Sequence, residues 1–167
     1  MGTCGLVGFR NHGVRVGIYN PYHSMPEILG RSLVRFILEL TAEQEREMVE
    51  RISTLEHVDG SNIPSGEDIQ YYQKCDITVL GDNTQWSHLL NSFRGVDALE
   101  SILTGKMKHI IDDVDLLGEV DWAYFIDFSE LEVEIWRMGE LFVSVSFDEL
   151  DPNPGAERKR LMLLRLT

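Results

Sequence analysis

The chain opens Met1-Gly2-Thr3-Cys4-Gly5-Leu6, and two of these side chains, Thr3 and Cys4, carry groups able to attack a carbonyl. A threonine or cysteine at a true N-terminus can use its own α-amine as the base that takes its proton, so removal of two or three residues would expose such a nucleophile. The other chemistry open to Gly2 is myristoylation, which needs Ser or Thr at the sixth position, where this chain has Leu6. As ordinary structure, Cys4 reads as a small buried residue of a first strand.

A second group of reactive side chains lies in Asn20-Pro21-Tyr22-His23-Ser24-Met25-Pro26. Its prolines bar a ladder donor and disfavour helix in the residue before them, so the segment reads as a loop. A loop that joins a strand to a helix and gathers amide, phenol, imidazole and hydroxyl groups suits a ligand or partner site at Asn20, Tyr22, His23 and Ser24. The five histidines, His12, His23, His57, His88 and His109, show no pair at ligand spacing, so no metal site is expected. Asp112, Asp113 and Asp115 lack the glycine and distant glutamate of a calcium loop and read as solvated acid. Gly2, Gly5, Gly8, Gly13 and Gly17 form no phosphate cradle between a strand and a helix, so no cofactor is expected. In a hairpin such glycines mark bulges or close backbone approach. Cys4 and Cys75 are too few and too far apart for a disulfide framework.

These residues need elements to hold them. Residues 3–10 and 14–20 are rich in strand formers around Asn11-His12-Gly13, which predicts an antiparallel hairpin. Leu29, Leu33, Phe36, Ile37 and Leu40 fall on one face of a helix starting near Glu27, with Arg31, Arg35 and Glu39 opposite. Thr41 and Gln44 stand at capping-box spacing and begin a second helix with Met48, Ile52 and Leu55 as its narrow apolar stripe. Residues 59–66 have loop composition and are the expected mobile segment. Short helices are expected at 66–73, 85–93 and 97–104, with Thr84 as a cap and Gly95 and Gly105 as stops. Residues 122–128, 131–137 and 140–147 form three apolar or alternating runs, which predict an antiparallel meander. Segment 151–160 reads as flexible, and the apolar run 161–166 as an added strand or a docked segment.

The chain has 167 residues, 43% hydrophobic and 26% charged, which suits one folded domain. No run approaches the roughly 20 apolar residues of a membrane helix, and the start lacks a signal peptide pattern, so a soluble cytoplasmic protein without membrane attachment is expected. A formal net charge of −13 repels nucleic acid. Trp86, Trp122 and Trp136 are candidate partner anchors. Trp136 lies on the strand face opposite Leu131, Val133 and Ile135, where it would mark a homodimer interface.

Cys4-Gly5-Leu6-Val7-Gly8 resembles the Cys-Gly-Ile-Val-Gly opening of class II glutamine amidotransferases, and Gly2-Thr3 resembles the Gly-Thr processing site of proteasome-type subunits. The resemblance implies an N-terminal-nucleophile hydrolase. It places Asn20 near the acidic or amide residue that orients the nucleophile, and Arg35 near a basic residue that lowers its pKa. A longer pattern resembles a group of small, mostly fungal proteins without assigned activity: Met-Gly-Thr-x-Gly-Leu-Val-Gly-Phe-Arg, then Tyr19-Asn20 with Ser24, Pro26, Leu29 and Gly30, then Trp122-Ala123-Tyr124-x-Ile126-Asp127. Those proteins typically read Met-Gly-Thr-Arg-Gly-Leu and Tyr-Asn-His-x-Asp-Ser-Tyr-Pro. Here Cys4 replaces the arginine, Pro21 the histidine and His23 the aspartate, so by that resemblance a cysteine nucleophile would be peculiar to this chain.

The expectation is a single α+β domain over residues 1–167. Both chain ends contribute to an antiparallel sheet, the N-terminal hairpin and the C-terminal meander, with the helices between them packed on it. The expected role is binding or assembly with a protein partner or a second copy. The alternative is an amidohydrolase, or a degenerate relative of one, that uses Thr3 or Cys4 with Asn20 and Arg35.

Overall fold

The computed structural model describes residues 2–79, 81 and 84–150. The segments 151–160 and 161–166 lie outside the described residues. β1 (Gly5–Asn11) and β2 (Val14–Asn20) form the hairpin, with Gly5 opposite Asn20 and Asn11 opposite Val14. His12 and Gly13 both take positive φ, 50° and 79°, which gives a two-residue turn the twist its strands require.

β5 (Trp122–Asp127), β6 (Glu132–Arg137) and β7 (Glu140–Ser146) form the meander. The strand order is β2-β1-β5-β6-β7. The sheet is mostly antiparallel, but its central pair departs from expectation: β1 and β5 run parallel, Gly5 opposite Trp122. Parallel neighbours need a long crossover, and here the hairpin's second strand and the whole helical region lie between them. The strands pack closely at the glycines. A Cβ on Gly8 would sit 1.8 Å from the Val16 carbonyl oxygen, so only glycine fits there.

Among the described residues, all helices longer than one turn lie between the hairpin and the meander. Pro26–Gly30 forms a single π-helical turn, which leads into α1 (Arg31–Glu39). α1 buries Leu33, Phe36 and Ile37 and exposes Arg31, Arg35 and Glu39. α2 (Ala42–Thr54) begins at a complete capping box, in which the Gln44 N–H donates to Thr41 and the Gln44 side chain accepts from the Thr41 N–H, at 3.1 and 2.9 Å. α3 (Gly66–Lys74) is capped by Ser65, and α4 (Trp86–Leu89) and α5 (Gly95–Leu103) follow.

Two local expectations fail. Gly95 opens α5 at φ 56° and stops no helix. Thr84 is buried and donates to the Gly81 carbonyl, leaving Gln85 as the residue before α4. The 59–66 loop touches the helical region at two points, where its Asn62 and Gly60 carbonyls accept from the Trp86 and Ser87 N–H groups at 2.9 and 3.0 Å.

The helices cover one sheet face, where Val7, Phe9, Val16, Ile18, Tyr124, Ile126, Val133, Ile135 and Val145 meet Leu29, Leu33 and Ile37. β3 (Glu56–His57) and β4 (His109–Ile110) pair as a separate two-residue parallel ribbon, and α6 (Phe147–Leu150) closes the described chain. On the other sheet face, Leu6, Val120, Ala123 and Phe125 form a smaller cluster with the 3-10 turn Val114–Gly118 packed against it. Among the described residues no helix is long and apolar enough to cross a membrane.

Candidate functional site

The loop after β2 is tied down by its own polar atoms. Ser24 is fully buried. Its N–H donates to Thr3 Oγ1 at 3.0 Å, its hydroxyl donates to the Asn20 carbonyl, and its carbonyl accepts from the buried Tyr124 hydroxyl at 2.8 Å. Burial pushes the Tyr124 phenol up, so it stays a donor. Asn20 Nδ2 donates to Ser24 Oγ and to the Tyr22 carbonyl. Thr3, Asn20 and Ser24 therefore do meet, but their hydrogen bonds close a turn. Tyr22 and His23 are exposed, and His23 holds a φ of 56°.

Cys4 points into a different setting. Its N–H donates to Asp121 Oδ2 at 2.9 Å, and its thiol lies 3.7 Å from the same oxygen. Tyr19 is its other neighbour, with a hydroxyl pushed up by burial and then by the adjacent thiol. A thiolate is favoured beside a cation or at a helix N-terminus; this thiol has a carboxylate and a phenol beside it, whose charges would oppose a thiolate. Arg35 stays on the exposed face of α1. The guanidinium that does reach the end of β2 is Arg94, which donates to the Tyr19 carbonyl and, at 2.9 Å, to Asn91 Oδ1.

In the acidic cluster Asp112 and Asp115 are exposed, as expected of solvated acid, while Asp113 is half-buried, and two of the three carboxylates bond to β2. Asp112 Oδ1 accepts from the Gly17 N–H at 3.1 Å, Asp113 Oδ2 accepts from the Tyr19 N–H at 3.0 Å, and the Asp113 N–H donates to the Gly17 carbonyl at 2.7 Å. With Arg94 on the Tyr19 carbonyl, the outward backbone groups of Gly17 and Tyr19 all have partners. β2 is an edge strand sealed by side chains, which keeps it from pairing with another chain. Burial raises the Asp113 carboxyl above the usual carboxylate range, against the pull of the Tyr19 N–H and the Arg94 charge. Behind this seal lies a cavity of about 170 Å³ with a floor of Ile18, Leu90, Phe93 and Met107.

The sequence reading missed a second polar centre. The Tyr72 hydroxyl accepts from the backbone N–H groups of Lys108 and His109 at 3.0 and 3.1 Å and lies 2.9 Å from His109 Nδ1. An oxygen that accepts twice has one proton left to give, so Tyr72 donates to Nδ1 and the ring hydrogen of His109 sits on Nε2. Nε2 in turn lies 3.3 Å from Glu56 and 3.6 Å from Asp68. Trp86, read as a partner anchor, is buried with its ring 4.5 Å from that of His109.

On the face opposite the helices, Glu134 is buried and receives hydrogen bonds from Arg15 at 2.6 and 2.8 Å, from Arg10, and from Trp136 Nε1 at 3.1 Å. These partners, Arg15 foremost, hold its carboxyl at about 2. Trp136 is half-buried, with the Arg15 guanidinium 5.1 Å from its ring centre, and packs on the smaller cluster. The exposed apolar residues of this region lie farther along: Met138, Leu141 and Phe142 are 67%, 50% and 61% exposed.

No protein-family model matches the chain, and neither a curated protein nor a solved structure matches it.

Proposed function

We propose that the protein is a binding or assembly module that docks through the edge strand β7, and that a second copy of the chain is the occupant this strand fits. One observation carries the reading: the two sheet edges are treated differently. β2 is sealed by Asp112, Asp113 and Arg94. On β7 the Phe147 N–H pairs inward with the Leu131 carbonyl, so the strand's alternation turns the backbone groups of Ser146 and Ser144 outward, as far as the bulge that sets Ile135 opposite Val143 and Trp136 opposite Leu141. The Ser146 N–H is taken by Glu149. Among the described residues, the outward backbone groups of Ser144 have no partner. An exposed strand with apolar neighbours is a template for strand addition.

The strand's own sequence favours self-pairing. An antiparallel copy centred on Ser144 sets Ser144 opposite its own copy and Val143 opposite Val145, so no like charges face each other. An acidic chain of net charge −13 needs such a locally uncharged strip to approach itself.

The test is molar mass by light scattering on the wild type and on Ser144→Pro. Proline at an edge position loses only an outward N–H, so the fold should hold. The expected result is a wild-type dimer and a monomeric variant with an unchanged melt. A wild type that stays monomeric, or a variant that stays dimeric, overturns the proposal.

The competing reading, an N-terminal-nucleophile hydrolase, is supported by the meeting of Thr3 and Asn20 at Ser24. Intact mass of untagged protein tests it. A chain beginning at Thr3 or Cys4 supports the hydrolase, and one that keeps Gly2 removes it.

A further inference from the structure

The sealed edge of β2 roofs a cavity, and its lining is unequal. Its floor is apolar, made by Ile18, Leu90, Phe93 and Met107, all buried, whereas Arg94, Asp113 and Ser87 are half-buried and stand at its mouth. At about 170 Å³ it is close to the size of a dry cavity of about 150 Å³ that takes a benzene ring. The volume therefore has room for one ring, with any substituent directed to the open mouth.

The mouth sets the head group. Arg94 carries several N–H donors in a planar fork. Two are spent, on the Tyr19 carbonyl and on Asn91, and the rest remain. Asp113 uses one oxygen to accept from the Tyr19 N–H, and its other oxygen has no donor among the described residues. One cationic donor and one carboxylate acceptor thus line the same opening. A carboxylate ligand would satisfy Arg94 and be repelled by Asp113, and an ammonium would meet the reverse. A neutral amide serves both, because its carbonyl accepts from Arg94 while its N–H donates to Asp113.

We infer that this cavity binds a small uncharged aromatic or cyclic amide, with the ring among Leu90, Phe93 and Met107 and the amide between Arg94 and Asp113. The upward shift of the Asp113 carboxyl fits a group half withdrawn from water at such a mouth. Ligand pockets are commonly built this way, as an apolar body with a few converging polar groups. The inference stands on the cavity alone and is independent of docking at β7.

The experiment uses the full chain with methyl-labelled methionine and titrates benzamide, benzoate and toluene by NMR, reading the Met107 methyl. Benzamide should shift it saturably, at an affinity of about 1 mM for so small a probe, and benzoate about tenfold more weakly. Asp113→Asn keeps an acceptor for the Tyr19 N–H but offers the ligand a donor in place of an anionic acceptor. It should weaken benzamide about tenfold and leave toluene unchanged. Ile111→Phe narrows the cavity from its wall and should abolish the benzamide shift, with a melt like that of the wild type. No saturable benzamide shift, equal affinity for benzamide and benzoate, an unaltered affinity in Asp113→Asn, or binding that survives Ile111→Phe would each overturn the assignment.

Discussion

Tyr71 and Tyr72 are adjacent, and deleting one oxygen from each should have very different consequences. The Tyr71 hydroxyl is half-buried and donates to the Gly105 and Lys106 carbonyls at 3.0 and 2.8 Å. Tyr71→Phe removes a bond whose partners can turn to water, which costs about 1 kcal/mol. Tyr72 is fully buried, and Tyr72→Phe leaves the His109 N–H without an acceptor and His109 Nδ1 without a donor. Each orphaned buried group costs about 1–3 kcal/mol, so the pair costs about 2–6 kcal/mol. The Lys108 N–H, only partly buried, adds less.

At about 2–4 °C per kcal/mol for a domain of this size, Tyr71→Phe should lower Tm by roughly 2–4 °C and Tyr72→Phe by roughly 4–24 °C. Thermal and urea melts of both variants read the difference. Equal losses would show that Tyr72 contributes only its ring. A nitrogen NMR spectrum gives a second check, since the wild-type His109 must carry its hydrogen on Nε2. A hydrogen found on Nδ1 would refute the hydrogen-bond assignment itself.

Acid should act through Glu134. Its folded-state pKa of about 2 lies below the ordinary 4.5, so its contribution is complete above pH 4.5 and is lost as pH falls toward 2. The gap corresponds to about 3 kcal/mol at most, and to about 2 kcal/mol after solvent screening at the partly exposed Arg15. Urea melts across this pH range should show that loss in the wild type and a flatter profile in Glu134→Gln, and an identical profile would refute it. Gly8→Ala should cost about 3 kcal/mol or more, because the new methyl overlaps the Val16 carbonyl and must part β1 from β2. A melt within 1 °C of wild type would contradict the close approach.

Much of the fold can be read from local pattern. The alternation in β5, β6 and β7 has a period of two, the turn at His12-Gly13 has its own chemistry, and the Thr41–Gln44 box lies within one helical turn. What escapes reading is pairing at a distance. The parallel match of β1 with β5 depends on strands joined through the whole helical region, and no residue of either announces it. Asp121 reaches Cys4 across 117 positions and Tyr72 reaches His109 across 37, so neither pair forms a spacing motif. Asp112 and Asp113 look like solvated acid because acidic residues usually are. Their work as a seal appears only once β2 is known to be an edge. Gly95 reads as a stop because glycine ends helices more often than it begins them, whereas here its positive φ turns the chain into α5.

The residues that chemistry alone singles out are largely consumed by structure. Thr3, Asn20 and Ser24 satisfy one another, Cys4 faces a carboxylate, and Asp112 and Asp113 occupy the outward backbone groups of β2. A polar atom already bonded in the fold must break that bond to serve a substrate, and in a buried setting the loss is the full cost of leaving its partner unsatisfied. Function is therefore better sought among groups left without partners than among reactive types. Among the described residues, two such places stand out: the outward backbone of β7 near Leu141 and Phe142, and the remaining donors and acceptor of Arg94 and Asp113 above an apolar cavity. The first is extended and backbone-rich and selects a strand. The second is small and concave and selects a single ring. The two proposals thus differ in kind of partner because they differ in geometry, and each can fail without the other.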